Sequence, residues 1–198
     1  MGDVSKERIE KYGEVFTSPE IVENMLKLVE SQTHRIDSRF LEPACGNGNF
    51  LEAVLRKKLE IVYSMYRASA YDYERYSILA VSSIYGIELL EENVLICRDR
   101  LFDLWKSSFK RLRRYKFDEN LSKTCQFILE KNIICGDALS MTNVYGKPIV
   151  FSEWSIVTAT TMQRREFRYD DLMGEDTRSD RSLLQYTAEI RRLWEYVN

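Results

Sequence analysis

Short apolar runs and stripes of apolar residues spaced three or four positions apart alternate along this chain. The first stripe lies in the segment 17–29, where Thr17 or Ser18 can cap a helix and Pro19 suits its first turn. The apolar positions of this stripe are Ile21, Met25 and Leu28. The pattern predicts an amphipathic helix that begins near residue 18.

Apolar runs that end in an acid follow, and each is succeeded by a polar turn or a helical stripe. The first three runs end at Glu42, Glu88 and Asp137, and a fourth, "KPIVFSEW", ends near Ser152. The stripe after Glu88 consists of Val94, Cys97, Leu101 and Leu104. Strands that alternate with helices predict an α/β fold built on a parallel sheet.

The end of the chain is too short to continue this alternation. It predicts a strand around "REFRY", an acidic loop "DDLMGED" and a final helix. The apolar face of that helix would consist of Leu183, Tyr186, Ile190, Leu193 and Val197. We therefore predict a ligand-binding domain over residues 1–154, with a sheet truncated after its fourth strand, and an extension over 155–198 packed on the same domain.

Composition narrows the class of protein. The chain has 198 residues, enough for one sizeable core, and its 29 basic and 31 acidic residues give a net charge of −2. That balance is not typical of a strongly basic nucleic-acid-binding protein. The charged amino-terminal segment and the absence of a long apolar run predict a cytoplasmic location without membrane insertion. The cysteines form no CxxC pair and His34 is the only histidine, so no metal site is expected.

Two segments are locally basic. The segment "KSSFKRLRRYKF" carries basic residues between aromatic ones and contains no acid, so it is either a contact for a phosphate backbone or a solvated helix end. Arg164, Arg165 and Arg168 form a second candidate, which Asp170 and Asp171 partly neutralise.

The stretch "FLEPACGNGNF" (40–50) predicts a ligand site where the first strand ends. Gly46 and Gly48 would let the main chain approach a ligand closely, and acids at neighbouring strand ends could accept hydrogen bonds from a ribose and from an adenine amine. Leu51 stands where a dinucleotide site needs its third glycine, and no GxxxxGK[ST] loop is present. S-adenosylmethionine fits better than either nucleotide class. Taken singly, Glu88 could also be a helix cap, and an acid after a glycine an ordinary turn residue.

Four segments together resemble a known family. "GEVFTSPEIVENML", "LEPACGNGNFL", "IYGIELLEENV" and "NIICGDAL" are similar, in this order, to segments of the N6-adenine DNA methyltransferases of bacterial restriction-modification systems. The resemblance implies a Rossmann-like S-adenosylmethionine-dependent methyltransferase fold. It implies the following cofactor-binding residues: Phe16 and Thr17 at the methionine end, Glu42, Pro43, Ala44, Gly46, Asn47 and Gly48 in the loop, Glu88 at the ribose, and Asp137 and Ala138 at the adenine.

The family's [DN]PP[YF] motif is missing from this sequence. Its position after the fourth strand is taken by "SEW", in which Glu153 could accept the target amine and Trp154 could stack on a flipped base. We predict these two as substitute catalytic residues; the alternative is a surface acid beside a core tryptophan.

The function expected from these patterns is methyl transfer to adenine N6 in DNA, by an enzyme or by the modification subunit of a restriction-modification system. DNA would be the main partner, with a second subunit or another copy of the chain as a further one. One alternative is a non-catalytic S-adenosylmethionine-binding partner or regulatory subunit. A second alternative is a methyltransferase that acts on a small molecule or a protein.

Overall fold

The chain folds into helices packed around a small parallel sheet, with an antiparallel sheet beside it. The computed structural model describes residues 17–113, 115–173 and 182–196. The strands are β1 (Phe40–Glu42), β2 (Ile84–Glu88), β3 (Ile133–Asp137), β4 (Thr142–Asn143), β5 (Val150–Ile156), β6 (Thr161–Arg168) and β7 (Gln185–Glu189). The α-helices are α1 (Pro19–Leu28), α2 (Glu30–Thr33), α3 (Asn49–Tyr66), α4 (Ala70–Ser82), α5 (Glu91–Ser108), α6 (Glu119–Asn132) and α7 (Tyr169–Met173). Two 3-10 helices cover Phe109–Arg111 and Ile190–Glu195.

The first sheet has the order β1-β2-β3-β4. Its first three strands are parallel, with Phe40 opposite Ile84 and Gly86 opposite Ile133. The short β4 pairs antiparallel with β3. The predicted mixed α/β class and its parallel strands are therefore confirmed.

The two faces of this sheet meet different partners. Ile84 belongs to the main core, which the apolar stripes of α3, α4, α5 and α6 complete. The next residue along β2 points the other way, as strand geometry requires. Tyr85 and Ile87 pack there against Ile149, Phe151 and Tyr169.

Helix starts follow the capping residues in the sequence. Ser18 accepts a hydrogen bond from the Ile21 N–H at 3.4 Å, and Pro19 occupies the first helical position of α1, which confirms the predicted start. Ser69 caps α4 and Asp118 caps α6 in the same way. These caps fix where the helical layer begins relative to the strand ends.

The fourth predicted strand does not join the parallel sheet, so this part of the prediction is wrong. A parallel neighbour needs a crossover connection, usually a helix. The segment 138–149 instead forms β4 and a tight turn in which Asn143 Oδ1 accepts from the Tyr145 and Lys147 N–H groups. The chain then enters β5, which belongs to the antiparallel sheet β5-β6-β7.

The predicted final helix is also wrong. Residues Gln185–Glu189 form β7 along β6, and only the 3-10 helix Ile190–Glu195 follows. A helical apolar spacing is present, but β6 would otherwise expose an unpaired edge, and pairing overrides the periodicity. Val197 lies outside the described residues. The 3-10 helix packs on α6, where the Thr124 hydroxyl donates to the Ile190 carbonyl at 2.6 Å.

No helix in the described ranges has the length and apolar character needed to cross a membrane.

Candidate functional site

Three predicted acids lie at one edge of the parallel sheet. Glu42, Glu88 and Asp137 are the last residues of β1, β2 and β3. Since these strands run the same way, their carboxyl ends meet at the same edge. The structure thus brings together the strand ends that the sequence predicted to form a ligand site.

The glycine loop connects this edge to α3. Gly46 and Gly48 both adopt left-handed conformations, with φ of 51° and 85°. The Gly48 N–H donates to the Cys45 carbonyl at 2.8 Å, and α3 begins at the next residue, Asn49. A Cβ on Gly48 would lie 2.6 Å from Cys97 Sγ, so glycine is required by both conformation and space.

Glu88 holds the loop against β2. Its carboxylate accepts from the Gly46 N–H at 2.9 Å and from the Leu90 N–H at 3.0 Å. The Asn93 amide lies 3.5 Å from the same carboxylate. Glu88 thus orients the backbone that leads into α5, although that helix begins without a side-chain cap hydrogen bond. The Glu88 carboxylate can still accept further hydrogen bonds, because each of its oxygens has two lone pairs.

Glu42 is the most unusual group at this edge. Its Oε2 is buried and has no hydrogen-bond partner among the described residues. Burial, together with the nearby Glu88, raises the pKa of Glu42 to about 8. A carboxyl group kept largely neutral at pH 7 would gain from a cation or a hydrogen-bond donor placed beside it.

Asp137 forms a turn where β3 ends. Its Oδ1 accepts from the Leu139 N–H at 2.8 Å. This bond, with further ones from Ser140, lowers the pKa of Asp137 below its ordinary value. Ala138 packs against the small cluster around Tyr85. The ordinary turn role is thus present, and an ionised carboxylate remains at the sheet edge.

Arg100 is a site residue that sequence reasoning missed. From α5 its guanidinium donates to the Asn47 carbonyl at 2.9 Å and to Asn49 Oδ1 at 2.8 Å. It also forms an ion pair with Glu52. Arg100 therefore fixes the loop to α3, and no local pattern could reveal a contact over such a sequence distance.

The remaining predicted loop residues lie in or beside the same turn. Pro43 and Ala44 are exposed where the loop leaves β1, and Cys45 is buried, as expected for a packing residue. The Asn49 side chain donates to the Thr17 carbonyl at 3.1 Å, which brings Thr17 to the start of α3. Phe16 lies outside the described residues.

Trp154 is a core residue, so its predicted role as a base-stacking platform is wrong. It is 5% exposed, and its indole N–H donates to Asn132 Oδ1 at 3.0 Å. Its ring meets Phe127 edge to face, with centroids 6.0 Å apart. The Asn132 amide in turn donates to the Ser82 and Ile84 carbonyls, both at 3.1 Å. Trp154 thus joins the antiparallel sheet to α6 and the start of β2.

Glu153 points away from Trp154, because successive strand residues face opposite sides. It forms ion pairs with Arg39 and Arg165. Arg39 immediately precedes β1, whereas the glycine loop follows that strand, so Glu153 lies towards the opposite end of the sheet. The predicted catalytic pair is therefore not assembled: its members face different sides, and neither lies at the sheet edge that carries the glycine loop.

The two basic segments differ in structure. In the second segment, each arginine has an acidic partner: Arg164 pairs with Glu166, Arg165 with Glu153 and Arg168 with Asp170. Arg164 is also only 1% exposed, so the predicted phosphate contact is wrong for this residue.

In the first basic segment, Arg111 stacks on the Tyr63 ring at 3.7 Å, while Lys110 and Arg113 are exposed. Both earlier interpretations of this segment, a phosphate contact and a solvated helix end, stay open.

No cluster of three or more His, Cys, Asp or Glu side chains in the described part of the chain could hold a metal ion. Comparisons with protein-family models, with curated proteins and with solved structures give no match for this chain. The resemblance to adenine methyltransferases thus stays a prediction.

Proposed function

We propose that this chain is a Rossmann-like, methyltransferase-type domain that binds S-adenosylmethionine at the carboxyl edge of its parallel sheet. We propose further that it serves a DNA adenine-N6 methylation system as the cofactor-binding subunit. The observation that carries the proposal is the meeting of the left-handed loop at Gly46 and Gly48 with the acids Glu42 and Glu88.

The groups at this edge suit a cationic adenine nucleoside. The unpartnered carboxyl oxygen of Glu42 would be stabilised by a positively charged sulfonium or ammonium group. Glu88, already oriented by two backbone N–H groups, can accept from ribose hydroxyls. The ionised Asp137 can accept from the adenine amine.

The bound cofactor would supply an activated methyl group. The chain's own contribution is orientation, which is the main task of a protein in a transfer between two bound reactants. Arg100 and Glu88 hold the loop in place before any ligand arrives, so little ordering is left for the binding step.

The acceptor, adenine in DNA, is carried over from the resemblance alone. The burial of Trp154 and the ion pairs of Glu153 favour a subunit whose target-base site is supplied by another chain. We expect the isolated chain to transfer no labelled methyl group from S-adenosylmethionine to plasmid DNA. Incorporation into N6-methyladenine would show instead that the chain is a complete enzyme with its base site elsewhere.

Calorimetric titration with S-adenosylmethionine tests the binding proposal. We expect a dissociation constant of about 1 μM, equivalent to about 8 kcal/mol. Asp137→Asn keeps an oxygen for the Leu139 N–H but loses its charge, and it should weaken binding about tenfold. Asp103→Asn, at an exposed position on α5, should bind as the unmodified chain does. Absence of heat at saturating concentrations, or equal affinity in the two variants, would overturn the proposal.

A further inference from the structure

A cavity of about 350 Å³ lies between the parallel sheet and the antiparallel sheet. Its volume falls in the range of small-molecule sites, roughly 300 to 1,000 Å³. Its apolar walls are the side chains of Leu41, Tyr85, Phe151 and Phe167. Neither the glycine loop nor Glu88 lines it, so it is separate from the proposed cofactor edge.

The aromatic walls of the cavity are fixed. Tyr85 and Phe151 meet edge to face, with centroids 5.5 Å apart and an angle of 86° between the rings. The Tyr85 hydroxyl donates to the Ser152 carbonyl at 2.9 Å, so the phenol is held in position. Leu41 is 40% exposed and forms an open side of the cavity. Rigid, flat, apolar walls favour a planar ring as the occupant.

The charged part of the lining is cationic overall. Glu153 pairs with both Arg39 and Arg165, which leaves two positive charges against one negative. Each guanidinium has five N–H donors, and Glu153 is the only acceptor found for either arginine within the described residues. Arg165 Nε is buried without a hydrogen-bond partner in that part of the chain. The buried Nε is out of reach, so an anion of fork-like geometry would bind the exposed N–H groups of the two guanidiniums.

We propose that this cavity binds a small aromatic anion, a planar ring that carries a carboxylate or a phosphate. The ring would lie against the Tyr85, Phe151 and Phe167 side chains, and the anionic group would meet Arg39 and Arg165 beside Glu153. This site goes beyond the cofactor edge, because Arg39 lies before β1 and the glycine loop lies after it.

Probe titrations followed by ligand-observed NMR test the site. Indole-3-acetate and indoxyl phosphate present the two anionic groups on the same ring, while indole, acetate and inorganic phosphate present the ring and each anionic group alone. We expect the ring-bearing anions to bind with dissociation constants below about 1 mM and the separate ring and anionic groups to bind at least about tenfold more weakly. The tighter of the two ring anions identifies which anionic group the arginines prefer.

Matched variants place the binding in the cavity. Arg165→Gln removes one cation and should weaken the ring anions about tenfold. Leu41→Trp adds bulk at a partly exposed position and should block binding while the fold is kept. Arg67→Gln, at an exposed arginine outside both the cavity and the two basic segments, should leave binding unchanged.

Several results would overturn the assignment. Equal affinity for indole and indole-3-acetate would mean that an adventitious apolar additive binds without anion recognition. Absence of binding by either ring anion up to about 10 mM would mean that the cavity has no such ligand. Unchanged affinity in both Arg165→Gln and Leu41→Trp would place the probe elsewhere. The same variants are also titrated with S-adenosylmethionine. Because the cavity and the proposed cofactor edge have different residues, the two titrations test the two proposals separately.

Discussion

Glu42 is a carboxyl group that the fold places where its charge is unfavourable. Its Oε2 is buried without a hydrogen-bond partner among the described residues, and Glu88 lies close enough to repel it. Ordinary cores avoid such an arrangement, because an unpaired buried charge costs several kcal/mol. Its presence beside a loop of left-handed glycines is the residue-scale feature that most favours a ligand site.

Stability should depend on pH through Glu42. Folding raises the pKa of Glu42 from 4.5 to about 8, so between these values the folded state keeps a proton that the unfolded chain has released. The stabilisation is complete below about pH 4.5 and is lost as the pH rises through 8. Glu42→Gln should therefore nearly match the unmodified chain at pH 5 and exceed its stability at pH 9 by about 4 kcal/mol, because about 1.4 kcal/mol is lost for each pH unit between the two pKa values.

Urea denaturation at the two pH values measures this difference. Glu60→Gln, which changes an exposed acid on α3, serves as the control and should show no such growth with pH. A constant difference between Glu42→Gln and the unmodified chain from pH 5 to 9 would contradict a raised pKa at Glu42.

At the scale of elements, the loop between β1 and α3 depends on one glycine for both its turn and its packing. Gly48 has φ of 85°, and a Cβ there would lie 2.6 Å from Cys97 Sγ. Gly48→Ala should destabilise the fold by about 3 kcal/mol, from about 1–2 kcal/mol of left-handed strain plus the overlap. Thermal and urea unfolding would measure the loss.

Gly146 provides a matched comparison. It also has a left-handed conformation, with φ of 70°, but a Cβ there meets open space. Gly146→Ala should cost only the conformational strain, about 1 kcal/mol. Equal losses at the two glycines would show that the contact with Cys97 contributes nothing.

The elements that the sequence predicted correctly are those with local signals. The start of α1 follows from Ser18 and Pro19, and the strand ends at Glu42 and Glu88 follow from apolar runs that stop at an acid. The errors concern partners distant in sequence. The placement of β5 depends on a turn that replaces a crossover helix, and β7 forms because β6 offers an edge.

The candidate site was predictable to the same extent. The glycine loop and strand-end acids are local patterns, and the structure gathers them at one edge. Arg100 could not be found, because its contact with the Asn47 carbonyl joins residues far apart in the chain. The directions in which Glu153 and Trp154 point could not be predicted from the sequence either, because they depend on which face of β5 packs against α6.

At the scale of the whole molecule, the last part of the chain is tied to the helical layer. Arg191 donates to both carboxylate oxygens of Glu74, at 2.7 and 3.0 Å, and Glu74 is 6% exposed. The Tyr115 hydroxyl donates to the same carboxylate at 2.7 Å. Residues after β6 therefore complete the fold around α4 and α6.

Breaking this ion pair should weaken the whole fold. Arg191→Gln would remove the cation that compensates the buried Glu74 carboxylate, and it should lower the free energy of unfolding by about 2 kcal/mol. This loss is smaller than for a fully buried ion pair, because Arg191 is partly exposed. Arg192→Gln breaks only the exposed pair with Glu195 and should cost less than about 0.5 kcal/mol. Urea denaturation of the two variants would contradict the account if their midpoints shifted equally.

The central claim is that S-adenosylmethionine binds where the parallel strands end. Amide chemical shifts of isotopically labelled protein during titration with the cofactor test this most directly. We expect the shifts to change at Gly46, Gly48, Glu88 and Asp137, with β5 and β6 unaffected. Absence of shifts at saturating cofactor, or changes confined to β5 and β6, would contradict the account.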